Sequence, residues 1–146
     1  MDSRNPQIRA RILVVDSDDW CREFLTQVFK LLGIREFRLA TSVAEALEAL
    51  RAETYDLLIS DLNTPESQKL LEDCRQRSPD TRVILMLNRR LPSPTLTYYE
   101  QTEVVVKPLS LDEMVQKIRE AILQRQRLRL EDQVRRFKQE LSRFFS

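Results

Sequence analysis

The sequence predicts an α/β fold: a three-layer α/β/α sandwich around a five-stranded parallel sheet, extended by a long C-terminal coiled-coil helix. Three observations carry this prediction. Short apolar runs alternate five times with amphipathic segments, and such alternation builds a mostly parallel sheet covered by helices on both faces. Several of those runs are β-branched and stop abruptly at a charged residue, as buried strands do. From Ser110 to Ser146 neither glycine nor proline interrupts the chain.

Ile12-Leu13-Val14-Val15 is the first strand, stopped by Asp16-Ser17-Asp18-Asp19. Trp20 to Leu32 places Phe24, Leu25, Val28, Phe29, Leu31 and Leu32 at helical spacing, with Asp18 or Asp19 as cap, Trp20 packing on the helix, and Gly33 just past the end. Phe37 to Ala40 forms a second strand. Ser42-Val43-Ala44-Glu45 then has capping-box spacing for a helix reaching about Ala52. Tyr55 to Ser60 is the third strand, stopped by Asp61. The loop signal Asn63-Thr64-Pro65 precedes a helix carrying Leu70, Leu71 and Cys74. Val83 to Leu87 is the fourth strand. Pro92 and Pro94 leave 88–101 as a loop with a short irregular helix. Val104 to Val106 is the fifth strand, stopped by Lys107-Pro108, and Ser110 to Glu113 is a second capping box. Three segments follow: an N-terminal tail at 1–10, a globular domain at 11–122 and a helical extension at 123–146.

Composition removes several kinds of chemistry. The 146 residues include no histidine and one glycine. No Ser-His-Asp or Cys-His pair and no histidine metal site can form, and a Gly-rich phosphate loop or dinucleotide fingerprint is excluded. Cys21 and Cys74 sit in different helices with no CxxC spacing, so both read as buried free thiols. The longest aliphatic run is four residues and the N-terminus has no apolar signal core. No membrane span or export is expected, and a reducing cytoplasm is the default.

Ligands of open parallel sheets sit beyond the carboxyl ends of the strands. Three strands here end in a charge: Asp16, Asp61 and Lys107. The fold would gather two carboxylates and an ammonium at one edge. Paired carboxylates invite a hard cation, with magnesium favoured. The lysine makes sense there once an anion such as a phosphoryl group joins. Taken singly, Asp61 also reads as an ordinary solvated aspartate at a strand end.

Together, Ile12-Leu13-Val14-Val15-Asp16, Asp61-Leu62-Asn63-Thr64-Pro65 and Val106-Lys107-Pro108 resemble the three signatures of response regulator receiver domains, across about Arg11 to Leu123. The resemblance implies a flavodoxin-like arrangement. It implies that Asp61 accepts a phosphoryl group from a sensor histidine kinase or phosphotransfer protein, that Lys107 pairs with that phosphate, and that the bond to Pro108 is cis. It also implies a Mg2+ site drawing on Asp16, Asp61 and the backbone carbonyl of Asn63.

Four departures accompany the matches. Ser17 stands where the family has a second acid, which weakens the magnesium site. Leu87 stands where it keeps a hydroxyl, Val104 occupies the aromatic switch position, and no glycine follows Pro65. Without the hydroxyl, small structural change on activation is expected. The chain thus reads as a phosphoacceptor signalling through protein contacts, not as an enzyme with turnover. The alternative is a degenerate pseudo-receiver, an interaction scaffold independent of phosphorylation.

A helix from Ser110 to Ser146 would be about 54 Å long and must leave the globule. Leu111, Met114, Val115, Ile118 and Ile122 form a docking face. Leu123, Leu130, Val134, Phe137, Leu141 and Phe144 then fall on three- and four-residue steps, with Arg127 interrupting the seam. A parallel homodimer, or docking onto another helix, is expected; folding back on the domain is the alternative. Residues 111–146 carry 9 basic and 6 acidic side chains, but with acids interspersed and no helix-turn-helix, nucleic-acid binding is not expected. The 146 residues leave no length for an output domain beside the receiver and its helix, so the expectation is a chain that works through protein contacts alone or a fragment of something longer.

Overall fold

The computed structural model describes residues 9–61, 65–88 and 102–145. Its elements run β1 (Arg11–Val15), α1 (Asp19–Leu32), β2 (Glu36–Ala40), α2 (Val43–Ala52), β3 (Leu57–Asp61), α3 (Pro65–Arg77), β4 (Arg82–Leu87), β5 (Thr102–Val106) and α4 (Leu111–Phe145). The five strands form one sheet in the order β2-β1-β3-β4-β5, and every pairing is parallel. The fold class expected from the alternation is the one observed. The irregular helix expected within 88–101 lies, but for Asn88, outside the described residues.

The pleat explains the three layers. Ile12 and Val14 of β1, with Leu57 and Ile59 of β3, face α1 and α4. Leu13 and Val15, with Leu58, face α2 and α3. Alternate side chains of one strand point to opposite faces, so a strand buried on both sides must be apolar throughout. That is why RILVV and LLISD read as nearly unbroken apolar runs.

Helix ends follow the capping chemistry. Asp18 is the N-cap of α1, accepting from the Trp20 N–H at 3.0 Å. Gly33 closes that helix at φ 73°, a left-handed conformation that a Cβ would penalise. Ser42 Oγ accepts from the Glu45 N–H at 3.2 Å, while the Glu45 carboxylate accepts from the Thr41 N–H at 3.0 Å. Two donors are thereby satisfied reciprocally. Trp20 departs from its expected packing role: it is 64% exposed and stacks on Phe24 at 5.6 Å. Its position one residue into α1 turns it outward.

The first part of α4 docks through Met114, Ile118, Ala121 and Ile122. Arg125 ends that docking, buried and paired with Asp56 at 3.6 Å and Asp80 at 3.9 Å. Asp56 also accepts from the Arg11 N–H at 2.8 Å, tying the helix to the amino end of β1. Beyond Arg125 the helix leaves the sheet, as its length requires. Cys21 and Cys74 are free and buried.

Candidate functional site

Parallel strands deliver all their carboxyl ends to one edge, and in the order 2-1-3-4-5 the connections leave β1 and β3 toward opposite faces. The crevice between them therefore opens where Asp16 and Asp61 lie. Asp16 directly follows β1, Asp61 is the last residue of β3, and Lys107 directly follows β5. Two backbone bonds extend the strands to hold the flanking residues: the Asp16 N–H donates to the Ala40 carbonyl at 3.1 Å and the Lys107 N–H to the Leu87 carbonyl at 2.8 Å. The Lys107–Pro108 peptide bond is cis.

These residues form one electrostatic unit. Lys107 Nζ donates to Asp16 Oδ2 at 2.8 Å, and the Asp18 N–H donates to Asp16 Oδ1 at 2.9 Å. Asp16 is 2% exposed. Burial pushes its carboxyl up, but the Lys107, Asp18 and Cys21 hydrogen bonds outweigh that and hold it below the usual carboxylate range. Lys107 is the mirror case. Burial disfavours its charge, yet the hydrogen bond to Asp16 and the charges of Asp16 and Asp61 raise it above the usual lysine value.

Asp16 and Asp61 line a hollow of about 320 Å³, together with Ser17, Thr41, Glu66 and Ser67. A larger hollow, about 620 Å³, lies at the other end of the sheet beside Arg9, Arg11, Asp56 and Arg129. The smaller one holds the clustered carboxylates and is the candidate site. Of the sequence-predicted residues, Asp16, Asp61 and Lys107 are brought together; Asn63 lies outside the described residues. Sequence reasoning missed Glu66, Ser67 and Thr41. Thr41 had a findable signal, because it too follows a strand's carboxyl end. Glu66 and Ser67 were hidden because α3 starts at Pro65 and points its first turn into the crevice.

The donor set is hard oxygen, which suits magnesium, an ion that keeps several waters and takes only one or two carboxylates beside a phosphate. Asp16 and Asp61 meet that requirement. Among the described residues no group of three or more acidic or thiol ligands stands ready for a metal, and Ser17 contributes a neutral hydroxyl where an acid would add charge. Leu87 is buried at the end of β4 opposite Val106, so it offers the hollow no donor. Among the described residues no helix is long and apolar enough to cross a membrane.

Comparison with known proteins agrees with this geometry. A family model described as the response regulator receiver domain matches residues 12–119. The DNA-binding transcriptional regulator NtrC of Escherichia coli K12 is 31% identical over 118 residues, covering 78% of this chain and 25% of NtrC. The response regulator protein FleR of Pseudomonas aeruginosa is 39% identical over 79 residues, 53% of this chain and 16% of FleR. The chain thus spans about a quarter or less of the length of these curated relatives. A response regulator receiver domain from Clostridium thermocellum superposes with a TM-score of 0.72 at 23% identity, covering 82% of this chain and 99% of that one, and shares the fold. A parallel sheet in the order 2-1-3-4-5, charged residues at three strand ends and a family match across most of the chain lead to one assignment: the chain belongs to the response regulator receiver domain family.

Proposed function

We propose that Asp61 is a phosphoacceptor and that Asp16 and Lys107 are the groups that make its phosphorylation feasible. The observation that supports this reading is the 2.8 Å bond between Lys107 and Asp16 beside a hollow that Asp61 lines. A carboxylate oxygen of Asp61 attacks the phosphorus of a phosphohistidine on a sensor histidine kinase or phosphotransfer protein. The O–P bond forms as the P–N bond breaks, the imidazole leaves with the electron pair, and the product is an acyl phosphate. Asp16 and Asp61 would hold a magnesium ion, which supplies neutralisation of phosphoryl charge when bound. Lys107, whose ammonium is bonded to Asp16 of that hollow at 2.8 Å, would exchange this partner for a phosphoryl oxygen.

The chain itself signals and does not turn over a substrate; its output passes through contacts with other proteins. The exposed stripe on the outer half of α4 supports one such contact, self-association with a second copy. Two free, buried thiols and the absence of a membrane-length apolar helix among the described residues fit a cytoplasmic setting.

Incubation with acetyl phosphate and magnesium, read by intact-protein mass, tests the reading. A gain of about 80 Da, the mass of one phosphoryl group, is expected for the native chain and not for Asp61→Asn. A native chain that gains nothing, while the Clostridium thermocellum receiver domain in the same reaction does, refutes it. The chain would then be a phosphorylation-independent scaffold.

A further inference from the structure

The outer part of α4 carries Leu130, Val134, Phe137, Leu141 and Phe144 between 39% and 82% exposed. They lie on one stripe with steps of four and three, the spacing of a two-helix seam. Arg127 continues that stripe toward the domain. Along the flanks, Glu131 and Lys138 occupy equivalent positions one heptad apart, while the opposite flank carries Gln126, Gln133 and Glu140.

We propose that α4 pairs with α4 of a second copy in the antiparallel sense, with Arg127 of each copy facing Phe144 of the other. The proposal rests on the self-association proposed above, fixes its register, and replaces the parallel sense expected from the sequence with the antiparallel one. In a parallel pair every seam residue meets its own copy, so two Arg127 guanidinium groups would share one apolar layer. Within its own helix Arg127 reaches only Glu131, at 3.6 Å. Parallel flanks also place Gln126 against Glu131 and Gln133 against Lys138, with no ion pair between copies.

The antiparallel register removes both faults. Val134 meets Phe137, Leu130 meets Leu141, and each Arg127 lies on a Phe144 ring, where a guanidinium is attracted to the aromatic face. The two Arg127 side chains are then about 26 Å apart along the axis. The same register sets Glu131 of one copy beside Lys138 of the other, twice by symmetry. The overlap is about 28 Å long. Withdrawing five apolar side chains from each copy gives an interface on the order of 1,000 Å², the lower range for specific association. Arg125 and Arg129, held by Asp56 at 3.6 and 3.4 Å, fix the exit of α4 from the domain, so the seam is presented on a stiff support.

Sedimentation equilibrium of the 146-residue chain at tens of micromolar tests self-association alone: a dimer is expected, and a monomer overturns both proposals. Direction is read by oxidative cross-linking. Chains carrying Arg127→Cys and Phe144→Cys, distinguished by tags and mixed, are expected to form a mixed disulfide, and Arg127→Cys alone to form none. Cys21 and Cys74 stay silent because both are buried, and burial pushes their thiols up to about 12 and about 11. A disulfide between two Arg127→Cys chains overturns the antiparallel register while leaving self-association standing. Independently, Glu131→Lys is expected to weaken the dimer about tenfold, and adding Lys138→Glu to restore it. A dimer indifferent to both changes overturns the register, and unchanged far-UV circular dichroism confirms that each variant remains helical.

Discussion

Removing the ammonium at Lys107 while keeping its stem, Lys107→Met, isolates what holds Asp16 charged inside the protein. The Asp16 side chain is 1% exposed and that of Lys107 20%. Breaking a fully buried pair from one side costs about 3–5 kcal/mol, because a charge is left without compensation. Two features reduce that here. Lys107 is partly in water, so its attraction is screened, and Asp16 keeps the Asp18 N–H at 2.9 Å. A loss of about 2 kcal/mol at neutral pH follows, or a Tm lower by about 4–8 °C for a chain of this size.

The loss must also depend on pH in a set direction. The native Asp16 carboxyl lies below its usual value. Its contribution is therefore complete above that usual value, near 3.8, and disappears as pH falls through the lower folded one. The raised Lys107 gives the complementary limit: its contribution is complete below its usual value, near 10.5, and disappears as pH rises through the higher folded one. Thermal unfolding of both proteins, followed by far-UV circular dichroism, should show a gap at neutral pH that narrows toward about pH 3. A gap below about 1 °C, or one of equal size at both pH values, refutes the reasoning.

The remaining predictions concern the scaffold. Tyr55 is buried, and its hydroxyl has no hydrogen-bond partner among the described residues; urea unfolding should show Tyr55→Phe unchanged or slightly more stable. A loss above about 1 kcal/mol would reveal a partner for that hydroxyl. Gly33→Ala should cost about 1 kcal/mol in the same assay, because φ 73° penalises a Cβ. Asp18→Ala should cost about as much through the lost cap of α1, and an unchanged unfolding midpoint would contradict that role.

What could be read from the residues was what local chemistry decides. RILVV announces a two-face-buried strand because neither side tolerates polarity, and Asp16 and Lys107 mark strand ends because a charge cannot continue into the core. The Ser42–Glu45 spacing announces a helix start on its own. Less legible were features that depend on where elements meet. Tyr55 belongs to the third apolar run, yet lies before β3, buried in the connection. Trp20 faces water because the helix begins at Asp19, one residue earlier than the apolar pattern implied. Glu66 entered the hollow only because α3 turns its first residues toward β1. Arg125 interrupts an apolar face, and only the packing of α4 against Asp56 and Asp80 explains its burial.

The most direct test of the phosphoacceptor reading is chemical mapping of the modified residue. After reaction with acetyl phosphate and magnesium, borohydride reduces an aspartyl phosphate to homoserine, and peptide mass analysis then gives its position. Homoserine at residue 61, and at no other aspartate, is the predicted result. Homoserine at Asp16 or Asp18, or none at any position under conditions that label another receiver domain, contradicts the account.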